Sequence, residues 1–139
     1  MSPTRIHHVN FVVHDLEEAM VRFERGLGVD PFEIIDHRPR GARVARSRLG
    51  ESWLVLVSPY DPASVPGRFL ADHGEGFFLI SLGYEDIVQQ LEQLEDSGVD
   101  IVDQVPRDGI HDWRVADIGD VNGAMMQITQ DNSADDDQE

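Results

Sequence analysis

Residues 6–30, IHHVNFVVHDLEEAMVRFERGLGVD, decide the fold because residues 77–100, FFLISLGYEDIVQQLEQLEDSGVD, follow the same pattern. Each stretch opens with a β-rich run and continues into a segment whose apolar residues recur at helical spacing. Asp15 has the chemistry of an N-cap before the first predicted helix. The second predicted helix is Glu85–Ser97, and the repeat aligns Asp86-Ile87 with Asp15-Leu16 at an offset of 71 residues. Each helical segment ends at a Gly-Val-Asp triplet, in which glycine suits a helix C-terminus. The chain therefore contains an internal repeat.

Strand-like runs separated by turn-forming residues surround each helix. The predicted strands are Ile6–Val13, Phe32–His37, Ala42–Leu49, Trp53–Ser58, Phe77–Leu82, Ile101–Gln104, Trp113–Ile118 and Ala124–Thr129. A short helix is also predicted around Arg68–Asp72. Because a helix and a sheet each bury one apolar face, we predict an α+β fold of two tandem βαβββ modules that form curved mixed sheets around a cleft.

A length of 139 residues suits one domain, which we place at residues 1–130. Its two modules are predicted at about residues 5–59 and 76–130, with residues 60–75 as the linker. Residues 131–139 are acidic and almost without apolar side chains, so we predict a disordered tail.

The charge balance argues against two classes of partner. The chain has 27 acidic residues, 11 basic residues and a net charge of -16, which disfavours nucleic acid and anionic membrane surfaces. There is no cysteine for a disulfide or a thiolate metal site, and no apolar run approaches the ~20 residues of a membrane span. The first residues also lack a signal-peptide pattern. We predict a cytoplasmic protein.

Several short motifs carry a family resemblance when they are taken in order. They are Ile6-His7-His8-Val9, Asp15-Leu16-Glu17-Glu18-Ala19, Gly26-Leu27-Gly28, Gly74-Glu75-Gly76 and the closing run from Asn122 to Gln130. With them the sequence resembles the vicinal oxygen chelate superfamily, the glyoxalase and bleomycin-resistance fold, and most closely its methylmalonyl-CoA epimerase-like branch. The resemblance covers almost the whole chain.

The resemblance implies a divalent metal held by one inward residue from each of the first, fourth, fifth and eighth strands. These positions map onto His8, Val55, Leu79 and Gln127. Two of the four side chains are aliphatic, and one imidazole with one amide oxygen falls short of a stable coordination shell. We therefore predict no metal and no other cofactor. An alternative is that a second subunit completes a site, with His37 or His111 as the candidate ligand.

His8 is the candidate catalytic residue, because an imidazole of ordinary pKa transfers protons near neutrality. Its alternative role is structural, as a polar residue hydrogen-bonded to Gln127. The epimerase branch also places a carboxylate base on the third strand, and this position maps onto Val44.

Arg46 is a candidate clamp for a carboxylate or phosphate, since a guanidinium binds such groups through two hydrogen bonds. There are two alternatives to this role. Arg46 lies on a solvated edge strand, or it forms an ion pair with Asp117. The other candidate ligand-binding residues are Asn10 and Ser81 at matching inward positions, Trp53 and Met125 as apolar lining, and Gln127.

Two functions remain open at the level of sequence. The resemblance implies a metal-independent isomerase or lyase that acts on a small anionic, partly apolar metabolite such as a carboxylate or a CoA thioester. The alternative is a non-catalytic small-molecule binding or resistance protein, because fold alone does not determine function. Members of the family that the sequence resembles often form pairs of subunits, and this implies a homodimer.

Overall fold

The computed structural model describes residues 2–133, which form three α-helices and eight β-strands. This content confirms the predicted α+β class. The elements are β1 Arg5–Val12, α1 Leu16–Leu27, β2 Glu33–His37, β3 Ala42–Leu49, β4 Ser52–Pro59, α2 Val65–His73, β5 Gly76–Gly83, α3 Ile87–Asp96, β6 Arg107–Asp108, β7 Trp113–Val121 and β8 Ala124–Asp131.

Within these residues the chain forms two compact units. The first unit comprises residues 8–79, and the second comprises residues 2–7 and 80–133. The boundaries between the units fall within two strands. Residues 5–7 of β1 belong to the second unit and residues 8–12 to the first, whereas residues 76–79 of β5 belong to the first unit and residues 80–83 to the second.

In the first unit the strands are ordered β2-β3-β4-β1, with β4 and β1 parallel and the other pairs antiparallel. Alternate side chains of a strand point to opposite faces, so the register separates two sets of residues. One set includes Ala45 and Leu56, which pack against Leu16 and Ala19 of α1. The other set, on the face away from α1, includes the candidate site residues.

The second unit repeats this arrangement in the order β5-β8-β7-β6, with β5 and β8 parallel. Helix α3 packs Ile87 and Leu91 against Ala116 and Ile128 on one face of these strands. Ser81 lies opposite Gln127 on the face away from α3. Each helix therefore buries its apolar stripe against one face of the strands of its own unit.

The predicted N-cap Asp15 serves this role, and so does Asp86, which the repeat aligns with it. Oδ1 of Asp15 accepts a hydrogen bond from Glu18 N at 3.0 Å, and Oδ1 of Asp86 accepts one from Gln89 N at 3.0 Å. The first helix ends at Gly28, whose φ of 71° is in the left-handed region that favours glycine. The Asp15 contact confirms the predicted start of α1, whereas α3 begins at Ile87, two residues after the predicted start at Glu85.

Strand β7 contains a bulge between Asp117 and Gly119. Before it, Asp117 lies opposite Gln127; after it, Gly119 lies opposite Met126. The extra residue, Ile118, packs in the apolar cluster under α3. The bulge thus changes which of the later residues share a face with Asp117.

The predicted strand at Ile101–Gln104 is wrong, because the sixth strand is the two-residue segment Arg107–Asp108. The N–H groups of Val102 and Asp103 both donate to Asp117 O, at 3.1 and 2.9 Å, instead of forming a ladder. The carboxylate of Asp103 in turn accepts from Asp117 N at 2.8 Å. The Asp103 carboxylate thereby accepts the hydrogen bond that Asp117 N would otherwise donate to a paired strand.

Strand β8 ends at Asp131, one residue beyond the predicted end of the domain. Asn132 N donates to Asp112 O at 3.2 Å, and Ser133 hydrogen-bonds to His111 O. Order thus extends to residue 133, and the rest of the predicted tail, residues 134–139, lies outside the described residues.

None of the helices in the described part of the chain combines the length and the hydropathy needed to cross a membrane.

Candidate functional site

A cationic and aromatic cluster lies on the face of the first unit that points away from α1. The guanidinium carbon of Arg46 lies 3.9 Å from the centre of the Trp53 ring, and that of Arg48 lies 4.9 Å from it. Both distances suit cation–π attraction. The predicted shared face of Arg46 and Arg48 is therefore present, and Trp53 is their common contact.

Arg46 is only 7% exposed, which is unusual for an arginine. Its Nε lies 3.4 Å from Oε1 of Glu33, which is opposite it on β2. The Glu33 side chain is 58% exposed, so solvent screens this ion pair. A buried guanidinium retains its charge, which makes Arg46 suited to binding an anion.

His8 lies opposite Trp53 in the parallel pairing of β1 and β4, and it is buried. Asn10 lies opposite Val55, which is itself opposite Arg46 on β3. The four predicted residues of this unit, His8, Asn10, Arg46 and Trp53, thus share one face. The Oδ1 atom of Asn10 is buried and has no hydrogen-bond partner within residues 2–133.

In the second unit a polar row crosses three strands on the face away from α3. Ser81 lies opposite Gln127, and Gln127 lies opposite Asp117. The Ser81 hydroxyl hydrogen-bonds to the Thr129 hydroxyl, and Nε2 of Gln127 donates to Oδ1 of Asp117 at 3.0 Å. Met125 is half-buried and shares the Gln127 face by alternation, whereas Met126 packs against the cluster under α3.

Arg107 and Asp103 extend this row, and sequence analysis did not identify either as a site residue. The Nη2 of Arg107 donates to Asp117 Oδ1 at 3.0 Å, and its Nε donates to Asp103 Oδ2 at 3.2 Å. The sequence did contain one indication of this pair, because Asp103 and Arg107 carry opposite charges four residues apart. Their contact with Asp117 depends on the pairing of β6 with β7, which that spacing does not reveal.

The residues at the family's metal-ligand positions do not fit a divalent ion. Val55 and Leu79 are buried and carry only hydrocarbon, so the first unit supplies His8 alone from its three positions. Gln127 adds a neutral amide, and its Nε2 already donates to Asp117. Nowhere in residues 2–133 do three or more His, Cys, Asp or Glu side chains form a group suited to a metal.

The third-strand position of the family's carboxylate base also carries hydrocarbon. Val44 is buried on β3 and lies opposite Val57. On the same face, Val12 lies opposite Val57 and is fully buried. This part of the site is apolar, which suits the hydrocarbon portion of a ligand.

Comparison with known proteins places this site in a family context. The sequence profile of the Glyoxalase/Bleomycin resistance protein/Dioxygenase superfamily matches residues 7–116. The chain belongs to this superfamily. Membership confirms the resemblance that the sequence motifs indicated.

Similar superfamily structures include a methylmalonyl-CoA epimerase in complex with methylmalonyl-CoA and NH4⁺. It is 27% identical, the match covers 94% of this chain and 96% of the epimerase, and the TM-score is 0.89. The Streptomyces coelicolor methylmalonyl-CoA epimerase, solved as a variant with 2-nitronate-propionyl-CoA, has the same identity, coverage and TM-score. Uncharacterized protein YqjC of Bacillus subtilis is 25% identical over 128 residues, which is 91% of both chains.

Proposed function

We propose that this protein is an isomerase or lyase that moves a proton on a small acyl metabolite without a bound divalent metal. The observation that carries the proposal is the buried Arg46, stacked on Trp53 on the same sheet face as His8. A charged anion-binding group thus shares a face with an imidazole, the side chain most often used in general acid–base catalysis.

Each of these residues has a defined role. Arg46 binds a carboxylate of the substrate, and the Trp53 ring keeps its guanidinium in place. His8 takes the proton from the carbon next to the substrate carbonyl and returns a proton to that carbon. In an isomerisation this exchange is balanced, because the proton that leaves the carbon is replaced by another and no electron is transferred to a partner. In a lyase reaction the electron pair left on that carbon would instead expel a leaving group from the neighbouring carbon.

The proposed substrate class is a carboxylate or a carboxylate-bearing CoA thioester. Similarity to an epimerase whose structure contains methylmalonyl-CoA supports this class. The apolar residues Val12, Val55 and Val57, which share the face of Arg46, would accommodate the hydrocarbon part of the acyl group. Asn10, Ser81, Met125 and Gln127 remain predicted ligand contacts.

Metal independence is supported by the side chains at the metal-ligand positions. Val55 and Leu79 have no donor atom, and the remaining imidazole and amide are too few to hold a divalent ion. The substrate must then be activated by hydrogen bonds and by charge supplied from the protein's own side chains.

Proton exchange at carbon tests the proposal directly. We expect wild-type protein with EDTA to replace the C2 proton of methylmalonyl-CoA with deuterium in D2O, as followed by NMR. His8→Ala should slow this exchange about 100-fold, the usual order for loss of a general base. His14→Ala is the matched control, because His14 is exposed in the turn after β1. Exchange that His8→Ala leaves unchanged, or that requires an added divalent ion, would contradict the proposal.

A non-catalytic binding protein is the second candidate. The observation that favours it is the buried Val44 at the position of the family's carboxylate base. Such a protein would bind methylmalonyl-CoA without exchanging its C2 proton. Isothermal titration calorimetry on the same samples separates the two functions, since His8→Ala would then change affinity and nothing else.

We also propose that the protein acts as a cytoplasmic homodimer, in keeping with the pairing habit that the sequence resemblance implies. Light scattering coupled to size-exclusion chromatography should give twice the chain mass of 15.6 kDa. A mass of one chain at micromolar concentration would reject the dimer.

A further inference from the structure

Gln127 has a buried oxygen that lacks a partner. The residue is 4% exposed, and its Oε1 accepts no hydrogen bond from any group within residues 2–133. Its Nε2, in contrast, donates to Oδ1 of Asp117 at 3.0 Å. Buried polar atoms are rarely left unsatisfied, so this oxygen requires an explanation.

The orientation of the amide follows from the chemistry of Asp117. A carboxylate only accepts hydrogen bonds, so the NH2 group of Gln127 must face it and the carbonyl oxygen must point elsewhere. Arg107 keeps this carboxylate paired, because its Nη2 donates to the same Oδ1 at 3.0 Å. The Asp117 side chain is also largely buried.

A second carboxylate fixes the position of Arg107. The Nε of Arg107 donates to Oδ2 of Asp103, which also accepts from Asp117 N at 2.8 Å. The guanidinium therefore bridges Asp103 and Asp117, and one of these carboxylates is itself bonded to the β7 backbone. Such a connected network permits one arrangement of the Gln127 amide and disfavours its flip.

We propose that Asp117 and Arg107 are positioning residues that hold Gln127 so that its Oε1 accepts a hydrogen bond from an O–H or N–H group of the ligand. This inference rests on the proposed function for the ligand's identity and adds which group of the ligand this site takes. A carboxylate cannot satisfy Oε1, because both are acceptors. A hydroxyl or an amide N–H next to the acyl group can.

The first test measures the orientation of the amide by NMR and needs no ligand. In ¹⁵N-labelled protein, the side-chain NH2 signals of Gln127 are assigned by their loss in Gln127→Met. We expect one of the two protons to be shifted downfield by Asp117, and Asp117→Asn and Arg107→Met to move it toward the values of a solvent-exposed glutamine. Arg107→Lys serves if Arg107→Met does not fold, because a lysine retains the charge but lacks the planar fork through which Nε and Nη2 reach the two carboxylates.

Arg114→Met is the matched control for the loss of an arginine from this pair of strands. Arg114 lies opposite Asp108, pairs with its carboxylate and donates to Pro106 O, away from Gln127. It should leave the Gln127 signals unchanged. Gln127 signals that resemble solvent-exposed amides in wild-type protein, or that Asp117→Asn does not move, would overturn the positioning role.

The second test measures preference for a donor, using 2-hydroxypropionyl-CoA and propionyl-CoA, which differ by one hydroxyl. Wild-type protein should bind the hydroxy compound about tenfold more tightly, the size of one hydrogen bond to a buried acceptor. Gln127→Met should abolish this ratio, and Arg107→Met should reduce it. Equal affinity of wild-type protein for both compounds would overturn the donor assignment.

The two tests separate the failure of this inference from the failure of the proposed function. If neither thioester binds, the acyl-CoA assignment of the proposed function is rejected, while the NMR signals alone decide the role of Asp117 and Arg107. If both bind equally, the acyl-CoA assignment stands and the Gln127 acceptor role is rejected.

Discussion

The Nε2 atom of His7 lies 2.7 Å from Oδ2 of Asp131, so the first strand is joined to the end of the last strand. His7 is fully buried, and the Asp131 side chain is 6% exposed. The Arg5 guanidinium lies 3.4 Å from the same oxygen, and Ser133 N donates to Oδ1 at 2.8 Å. The His7 and Trp113 rings also pack nearly perpendicular to each other, with their centroids 4.5 Å apart.

This pairing makes stability depend on pH in the acid range. Burial by itself raises the pKa of Asp131, but the His7 and Ser133 hydrogen bonds and the His7 charge outweigh it and lower the pKa from 3.8 to about 2. A lowered carboxyl pKa contributes stability above the unfolded value, and this is lost as the pH falls toward the folded value. We expect Asp131→Asn to reduce the free energy of unfolding by about 1–2 kcal/mol at neutral pH.

Urea unfolding between pH 2 and pH 7 checks this prediction. The difference in the free energy of unfolding between wild-type protein and Asp131→Asn should shrink as the pH falls from about 4 toward 2. Asp108→Asn is the control, because that side chain is 90% exposed. A difference that persists unchanged at the acid end would contradict an ionised role for Asp131.

Arg46→Met tests anion binding through selectivity. Methylmalonyl-CoA carries a carboxylate that propionyl-CoA lacks, and the loss of a charged hydrogen bond should weaken binding of the former about 10- to 100-fold. Affinity for propionyl-CoA should change little. Arg43→Met is the matched control, since Arg43 lies on the same strand and pairs with Glu17 of α1. Equal weakening of both thioesters would show that Arg46 acts through packing alone.

Metal content tests the mapping of the ligand positions. Untagged protein purified without chelator should contain far less than one divalent ion per chain, because Val55 and Leu79 supply no donor. Added Co²⁺, Ni²⁺, Mn²⁺ or Zn²⁺ should leave the melting temperature unchanged, since a bound ion would raise it. Close to one ion per chain would mean that other residues are the ligands and that metal-dependent chemistry must be restored to the proposal.

Two helical glycines provide a stability test with opposite expected signs. A Cβ at Gly67 in α2 would lie 2.3 Å from Asp61 O, so Gly67→Ala should destabilise the protein by about 2 kcal/mol or more. A Cβ at Gly26 in α1 meets nothing within 4 Å. Gly26→Ala should therefore stabilise by about 0.5–1 kcal/mol through helix propensity. Thermal unfolding of the two variants measures both changes in stability. If Gly67→Ala and Gly26→Ala change stability alike, the backbone around Asp61 must move away from the new Cβ at residue 67.

Features set by neighbouring residues were predictable from the sequence. The caps at Asp15 and Asp86 depend on N–H groups three residues away. Asp15 was identified from its local pattern, and the repeat aligned Asp86 with it, although the second helix was predicted to start at Glu85. The shared face of Arg46 and Arg48 follows from strand alternation. Their common contact with Trp53 also needs the register of β3 against β4, which the internal repeat did not supply.

Features set by distant pairing were missed. Residues 101–104 have strand-like composition, yet the Asp103 carboxylate binds the β7 backbone and prevents a ladder. Arg107 was not identified because its role depends on a two-residue strand that brings it to Asp117. Such long-range pairing leaves no local period in the sequence.

The bulge in β7 has a practical consequence for engineering this site. A library that follows strict alternation from Asp117 would randomise Gly119 and Val121, although Gly119 lies opposite Met126, which packs under α3. Asp120, opposite Met125, continues the Asp117 face instead. Diversity directed at ligand specificity therefore belongs at 115, 117 and 120, because counting in twos past the bulge selects residues of the opposite face.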